Sequence, residues 1–242
     1  MDFVRPNRSV ALRFVAGRGH YDTVIEAVRT ARTSVWIATA NLKELMVEDK
    51  RWSLRRRRRG STSYRSVIGV FDELVTAGVE IRLLHAAPPS GPFRAELACH
   101  ERLMAFRRSR KRGGESGVYA VRTLAKTGMN APPSGSFEMR LCPRVHLKTV
   151  IVDGAFLYLG SANWTGAGLG VKGTGRRNFE LGVVTDDALL LDDVQEIFDR
   201  IWRGAECAQC KLRDVCPRPL DVVLTPSVPR AGSRGARRAP PP

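Results

Sequence analysis

Apolar residues recur at helical spacing in several stretches of the chain, and short β-branched runs separate them. Val24, Ile25, Val28 and Ala31 form one stripe within Tyr21 to Ala31, which predicts an amphipathic helix. Val67, Val70, Phe71, Leu74 and Val75 form a second, ending at Gly78, a residue suited to stopping a helix. Phe93 to Phe106, with Leu97, Leu103 and Met104 apolar, predicts another helix, and Leu190, Val194, Ile197, Phe198 and Ile201 predict the last. Between them, Ser34 to Ala40 and the run Val79, Ile81, Leu83 and Leu84 read as short buried strands. Gly113 to Phe137, rich in Gly, Ser and Pro, reads as a loop or insertion. Val145 to Val152 and Phe156 to Gly160 are two further strands around the turn dipeptide Asp153-Gly154, and Glu180 to Val184 alternates again. Strands alternating with helices predict an α/β layered fold.

At 242 residues the chain can bury a full core, and its formal charge is +16. Placement matters more than size. Arg55 to Arg59, the cluster Arg107, Arg108, Arg110, Lys111 and Arg112, and the tail residues Arg230, Arg234, Arg237 and Arg238 hold fourteen positive charges and no acid. Without them 26 basic residues face 24 acidic ones. Basic segments of this kind suit capture of a nucleic-acid backbone, and an anionic membrane surface would attract them too. A plain solvated-loop reading stands beside both. No window approaches the 18 consecutive apolar residues of a transmembrane helix, and Met1 to Phe14 lacks the apolar centre of a signal peptide. The expectation is a cytoplasmic protein with no transmembrane segment.

The chemistry concentrates between His146 and Asn163. On a strand, residues two apart share a face, so His146 and Lys148 point the same way while Leu147 turns to the core. An imidazole beside an ammonium makes sense around an anion, the first as nucleophile or proton carrier and the second as a phosphate-binding charge. A hairpin turning at Asp153-Gly154 would return Ser161 and Asn163 to the start of the run, adding hydroxyl and amide donors for phosphate oxygens. Asp153, at a turn, is read equally as a backbone cap and as a catalytic carboxylate.

His146, Lys148, Asp153, Gly160, Ser161 and Asn163 fit H-x-K-x4-D-x6-G-[ST]-x-N at every fixed position. This resembles the HKD signature of the phospholipase D superfamily, and from about Gly17 to Pro217 the chain is similar to bacterial single-motif members. The resemblance implies a mixed β-sheet flanked by helices. It implies that His146 attacks phosphorus to form a phosphohistidine, that Lys148, Ser161 and Asn163 bind the non-bridging oxygens, and that catalysis needs no cofactor. Glu180, after Asn178-Phe179, would be the carboxylate that orients the histidine. Superfamily members work with two motifs face to face, whereas here only one is present: His20, His85 and His100 lack the following x-Lys and are read as structural or surface residues. A homodimer with two converging His146 side chains is therefore expected. Ala38-Thr39-Ala40-Asn41 ends its strand as Gly160-Ser161-Ala162-Asn163 does, either as a vestigial half-site or as a strand-terminal Asn turn.

Cys207-x2-Cys210-x5-Cys216 is a compact thiol cluster, read as a metal knuckle with one ligand to find. Of Cys99 and Cys142, the second is favoured because Cys142-Pro143 precedes the strand bearing His146. The spacing resembles part of the iron–sulfur staple of some DNA nucleases, structural zinc fits equally, and unliganded thiols remain the alternative. The expected organisation is a catalytic domain over 1–205, the knuckle over 206–220 and a disordered basic, Pro-rich tail over 221–242. Three functions follow: a nuclease, a phospholipase D or phosphatidyltransferase acting on lipid head groups, and a non-catalytic metal-stabilised nucleic-acid-binding module.

Overall fold

Alternation along one central strand sets the layers. In β2 (Ser34–Thr39), Val35 and Ile37 enter one core while Trp36 and Ala38 face a second on the opposite side. The computed structural model describes residues 3–49, 63–99 and 135–222. In chain order its other elements are β1 (Arg13–Ala16), α1 (Gly19–Arg29), β3 (Met46–Glu48), β4 (Tyr64–Ser66), α2 (Val67–Thr76), β5 (Glu80–His85), β6 (Ser136–Leu141), β7 (Thr149–Val152), β8 (Phe156–Gly160), β9 (Leu181–Thr185) and α3 (Ala188–Trp202).

Seven strands form a mixed sheet in the order β1-β9-β8-β7-β2-β5-β6, and β3 and β4 pair separately. β2, β5 and β6 run parallel, while each pair from β2 through β7, β8 and β9 to β1 is antiparallel. Buried side chains of α1 and α2 pack on the face bearing Val35, Ile81, Val150 and Val184. α3 covers the other face, where Phe198 and Trp202 meet Ala38, Leu84 and Val145. Ser66 caps α2 by accepting the Ile68 N–H at 3.1 Å, and Gly78, at φ 103°, takes the left-handed conformation just past its end. Asp187 caps α3 through the Leu190 N–H at 2.8 Å.

The predicted helices and buried strands fall where periodicity placed them, with three differences. Phe137 ends the predicted loop but belongs to β6, an edge strand. In α3 the buried residues are Leu191, Phe198 and Trp202, so the stripe is rotated from the predicted one. His146 and Lys148 immediately precede β7 rather than lying within it. The helix predicted from Phe93 is helical over 91–99. The rest of it, His100, the insertion over 113–134, the runs Arg55–Arg59 and Arg107–Arg112, and the tail over 223–242 lie outside the described residues. Among the described residues no helix is long and apolar enough to cross a membrane.

Phe198 carries much of the second core: it is fully buried, stacked 5.2 Å from Trp36 and 5.8 Å from Trp202. Its replacement, Phe198→Ala, is expected to lower the unfolding free energy by about 3–5 kcal/mol, measured as a fall in the urea midpoint at unchanged slope.

Candidate active site

The hairpin performs the delivery that its sequence suggests. Asp153 and Gly154 both have positive φ, 53° and 63°, which lets β8 fold straight back on β7. Thr149 then faces Leu159 across the ladder, and the Gly160 N–H donates to the Lys148 carbonyl at 3.2 Å. Ser161 and Asn163 therefore emerge beside His146 and Lys148, next to the C-terminal end of β2. Binding at the carboxyl ends of parallel strands is the general habit of open α/β sheets.

His146 is exposed, and Lys148 is partly buried with its Nζ 3.1 Å from both ring nitrogens and 2.9 Å from the His146 carbonyl. Burial lowers the Lys148 ammonium below the ordinary lysine range, with Glu180 pulling it back up. Leu147 packs instead beside Val145, Phe198 and Trp202, as strand alternation requires. Asn163 is held through its amide oxygen, which accepts the Asn41 N–H at 3.0 Å and the more distant Thr39 hydroxyl at 3.4 Å. That use of Oδ1 leaves the amide NH2 as its donor side. The Trp164 N–H donates to Thr39 Oγ1 at 2.9 Å. The similarity between Thr39-x-Asn41 and Ser161-x-Asn163 thus becomes physical contact: the first segment braces the second.

Glu180 sits in the same cluster, but its carboxylate accepts from Ser161 Oγ, and from Asn178 Nδ2 at 3.1 Å, rather than from the imidazole of His146. Its main chain is tied to the core. His20, fully buried at the start of α1, places Nε2 3.0 Å from the Glu180 carbonyl and Nδ1 2.9 Å from the Tyr158 hydroxyl. A carbonyl can only accept, so Nε2 carries the proton and Nδ1 accepts from Tyr158. The hydroxyl in turn accepts the Ala162 N–H, and burial pushes its pKa up to about 12. One hydrogen-bonded chain therefore joins Ala162, between Ser161 and Asn163, to Glu180. Gly160 and Gly182 face each other beside the Tyr158 ring, where a Cβ on either would come within 2.3 to 2.6 Å of that side chain. His20 was expected to be structural near the start of the first helix; its position agrees, and its partner is the backbone of a site residue. The glycines flanking an alternating tyrosine were the available signal, since glycine inside a strand marks a close approach.

Asp153 stands apart. Its carboxylate accepts the N–H groups of Arg32, Thr33 and Ser34 at 2.8 to 3.2 Å and the Thr33 hydroxyl at 2.9 Å, at the far end of β7 from His146. Geometry thus supports the capping half of the earlier alternative. The four cysteines Cys142, Cys207, Cys210 and Cys216 border one small cavity beneath the β6–β7 connection, away from Ser161 and Glu180, while Cys99 is exposed elsewhere.

Residues 24–202 match the family described as cardiolipin synthase, PLD-like domain. That span is most of the chain, which belongs to the phospholipase D superfamily of phosphodiesterases. Similar solved structures include NucT from Helicobacter pylori, 13% identical over 79% of this chain and 95% of that one, with a TM-score of 0.43. Nuc from Salmonella typhimurium, a phospholipase D family member, is 16% identical over 80% of this chain and 95% of its own, with a TM-score of 0.42. Phosphatidylserine synthase from Haemophilus influenzae is 14% identical over 79% of this chain and 38% of its own, with a TM-score of 0.36. No match was found among curated proteins.

Burial raises the Asp153 pKa, but the N–H groups of Ser34, Thr33 and Arg32 outweigh it and hold the carboxyl below the usual range. A depressed folded pKa gives stability that is present above the unfolded value, about 3.9, and is lost as pH falls through the folded one. Asp153→Ala is therefore expected to cost about 1–2 kcal/mol at neutral pH and to flatten the acid limb of stability against pH in urea titrations. An acid limb as steep as that of the wild type would rule out the capping role.

Proposed function

We propose that the chain is a nuclease that cleaves nucleic-acid phosphodiesters through a phosphohistidine, working as a homodimer. The observation that carries this reading is the gathering of His146, Lys148, Ser161 and Asn163 at one end of the sheet, with Glu180 bonded to Ser161. In this reading Nε2 of His146 attacks phosphorus. The new P–N bond forms as the P–O bond to the leaving group breaks, and the departing oxygen takes a proton from the His146 of a second copy. Water, losing its proton to that second imidazole, then attacks phosphorus and expels His146. Lys148 and the Asn163 amide hold the non-bridging oxygens. Ser161 joins them when its hydroxyl turns from Glu180. The net charge of +16, concentrated in three acid-free segments, supports capture of a nucleic-acid backbone, while the attraction of the same segments to an anionic membrane keeps phospholipid as the second reading. Phe179, fully exposed next to Glu180, gives the second copy an apolar residue to cover.

The test is cleavage of labelled single- and double-stranded DNA, RNA and phosphatidylcholine in EDTA, beside His146→Ala. Nucleic-acid cleavage is expected to persist in chelator and to fall at least about 10³-fold in the variant. Head-group release alone would move the protein to phospholipid chemistry, and a variant at half the wild-type rate would remove His146 as nucleophile.

The lowered pKa of Lys148 adds a pH dependence. It loses its charge at a lower pH than a solvated lysine, so kcat/KM is expected to decline on the alkaline side before the ordinary value of 10.5 is reached. In Lys148→Arg, whose charge persists, that decline should move to higher pH; an unmoved limb would assign it to another group.

A further inference from the structure

The cavity beneath the β6–β7 connection is lined by Cys142, Cys207, Cys210 and Cys216, four of the five cysteines in the chain. They arrive from two directions. Cys142 directly follows β6, where its N–H donates to the His85 carbonyl at 2.9 Å. The other three follow α3 on a loop that closes on itself: Gly204, at φ 76°, lies so close to Leu220 and Asp221 that a Cβ there would meet the Asp221 nitrogen at 2.3 Å. Arg213 and Asp221 pair at 2.7 Å across the same closure.

The local turns share one construction. The Val145 N–H donates to the Cys142 carbonyl at 3.0 Å, and the Arg213 N–H to the Cys210 carbonyl at 2.9 Å. Within each turn the N–H two residues on, Arg144 or Leu212, donates to the cysteine sulfur. The Arg144 guanidinium also donates to Cys210, joining the two turns. Backbone N–H groups aimed at sulfur are the outer-shell donors that thiolate ligands use around metals. The cavity measures about 20 Å³, the room of a single small species. Gathering four half-buried, unlinked thiols around one cavity, with cations at the rim, has no packing purpose that alanine would not serve.

We propose that Cys142, Cys207, Cys210 and Cys216 together bind a metal centre through four thiolates. Among the described residues no three donors stand as a finished ligand set, so binding turns the sulfurs inward from the walls they already line. Thiolate ligation selects a soft centre: one zinc ion suits the cavity as it stands, and an iron–sulfur cluster requires its walls to part. The centre would fasten the end of α3 to the turn that delivers His146, four residues after Cys142. It is independent of the reaction proposed above.

The experiment is elemental analysis and visible absorption of the full chain, purified both in air and anaerobically, beside Cys142→Ser, Cys210→Ser and Cys99→Ser. About one zinc per chain, or iron with acid-labile sulfide and visible absorption, is expected in the wild type and in Cys99→Ser. Either metal should fall to less than about a tenth in the other two variants. No metal in either wild-type preparation, or full metal in Cys142→Ser, would overturn the proposal. Should those variants fail to fold, alkylation of the native wild type decides: Cys99 alone should react until chelator releases the metal and exposes the other four thiols. Reaction of all five at once, or a disulfide among the four, would equally overturn it.

Discussion

The arrangement of the site depends on where one hairpin turn is pinned. Asp153 accepts three successive backbone N–H groups, from Arg32 to Ser34, and so fixes the tip of the β7–β8 hairpin to the start of β2. A β-ladder admits register shifts only in whole residues, and a slip of one inverts every side chain. Here it would send Val150 and Val152 out of the larger core, drag Ile151 into it, and turn Lys148 away from the surface. The carboxylate holds the unpaired amides at one end of the sheet. The opposite end thereby places Lys148 against Gly160 and Asn163 against Asn41.

A second constraint acts across the sheet. The fully buried His20 bonds at once to Tyr158 and to the Glu180 carbonyl, and buried polar groups in such a chain tolerate little displacement, because each broken bond leaves an unsatisfied partner. Gly160 and Gly182 are needed for the same reason: side chains there would occupy the volume of the Tyr158 ring. The donors of the site stand on a segment that is anchored from below through the buried Ala162.

What could be read from the sequence follows from how each element is stabilised. α1, α2, β2, β5 and the hairpin bury periodic faces in a large core, so their patterns are regular and were legible. β1 and β6 are the two edges of the main sheet; β1 has one buried residue and β6 has none. Such strands exist because a partner edge offers hydrogen bonds, and that information lies elsewhere in the chain. The same holds within the site. His146, Lys148, Ser161 and Asn163 sit at fixed short spacing on one hairpin, whereas His20, Thr39 and Asn41 reach it only through tertiary contact.

The placement of Glu180 bears on the proposed pairing of two motifs. The resemblance implies that Glu180 orients His146; in this structure Ser161 and Asn178 take its oxygens, and His146 stays exposed with Lys148 beside it. Under the proposed mechanism the leaving oxygen needs a proton from a second imidazole in the opposite state. Two identical histidines can take different roles only through the substrate held between them. A bound phosphodiester supplies that asymmetry: in-line displacement puts the entering nitrogen on one side of phosphorus and the leaving oxygen on the other, so one imidazole meets phosphorus and the other meets the oxygen. A symmetric pair of sites can in this way divide the roles of nucleophile and acid without any difference in sequence.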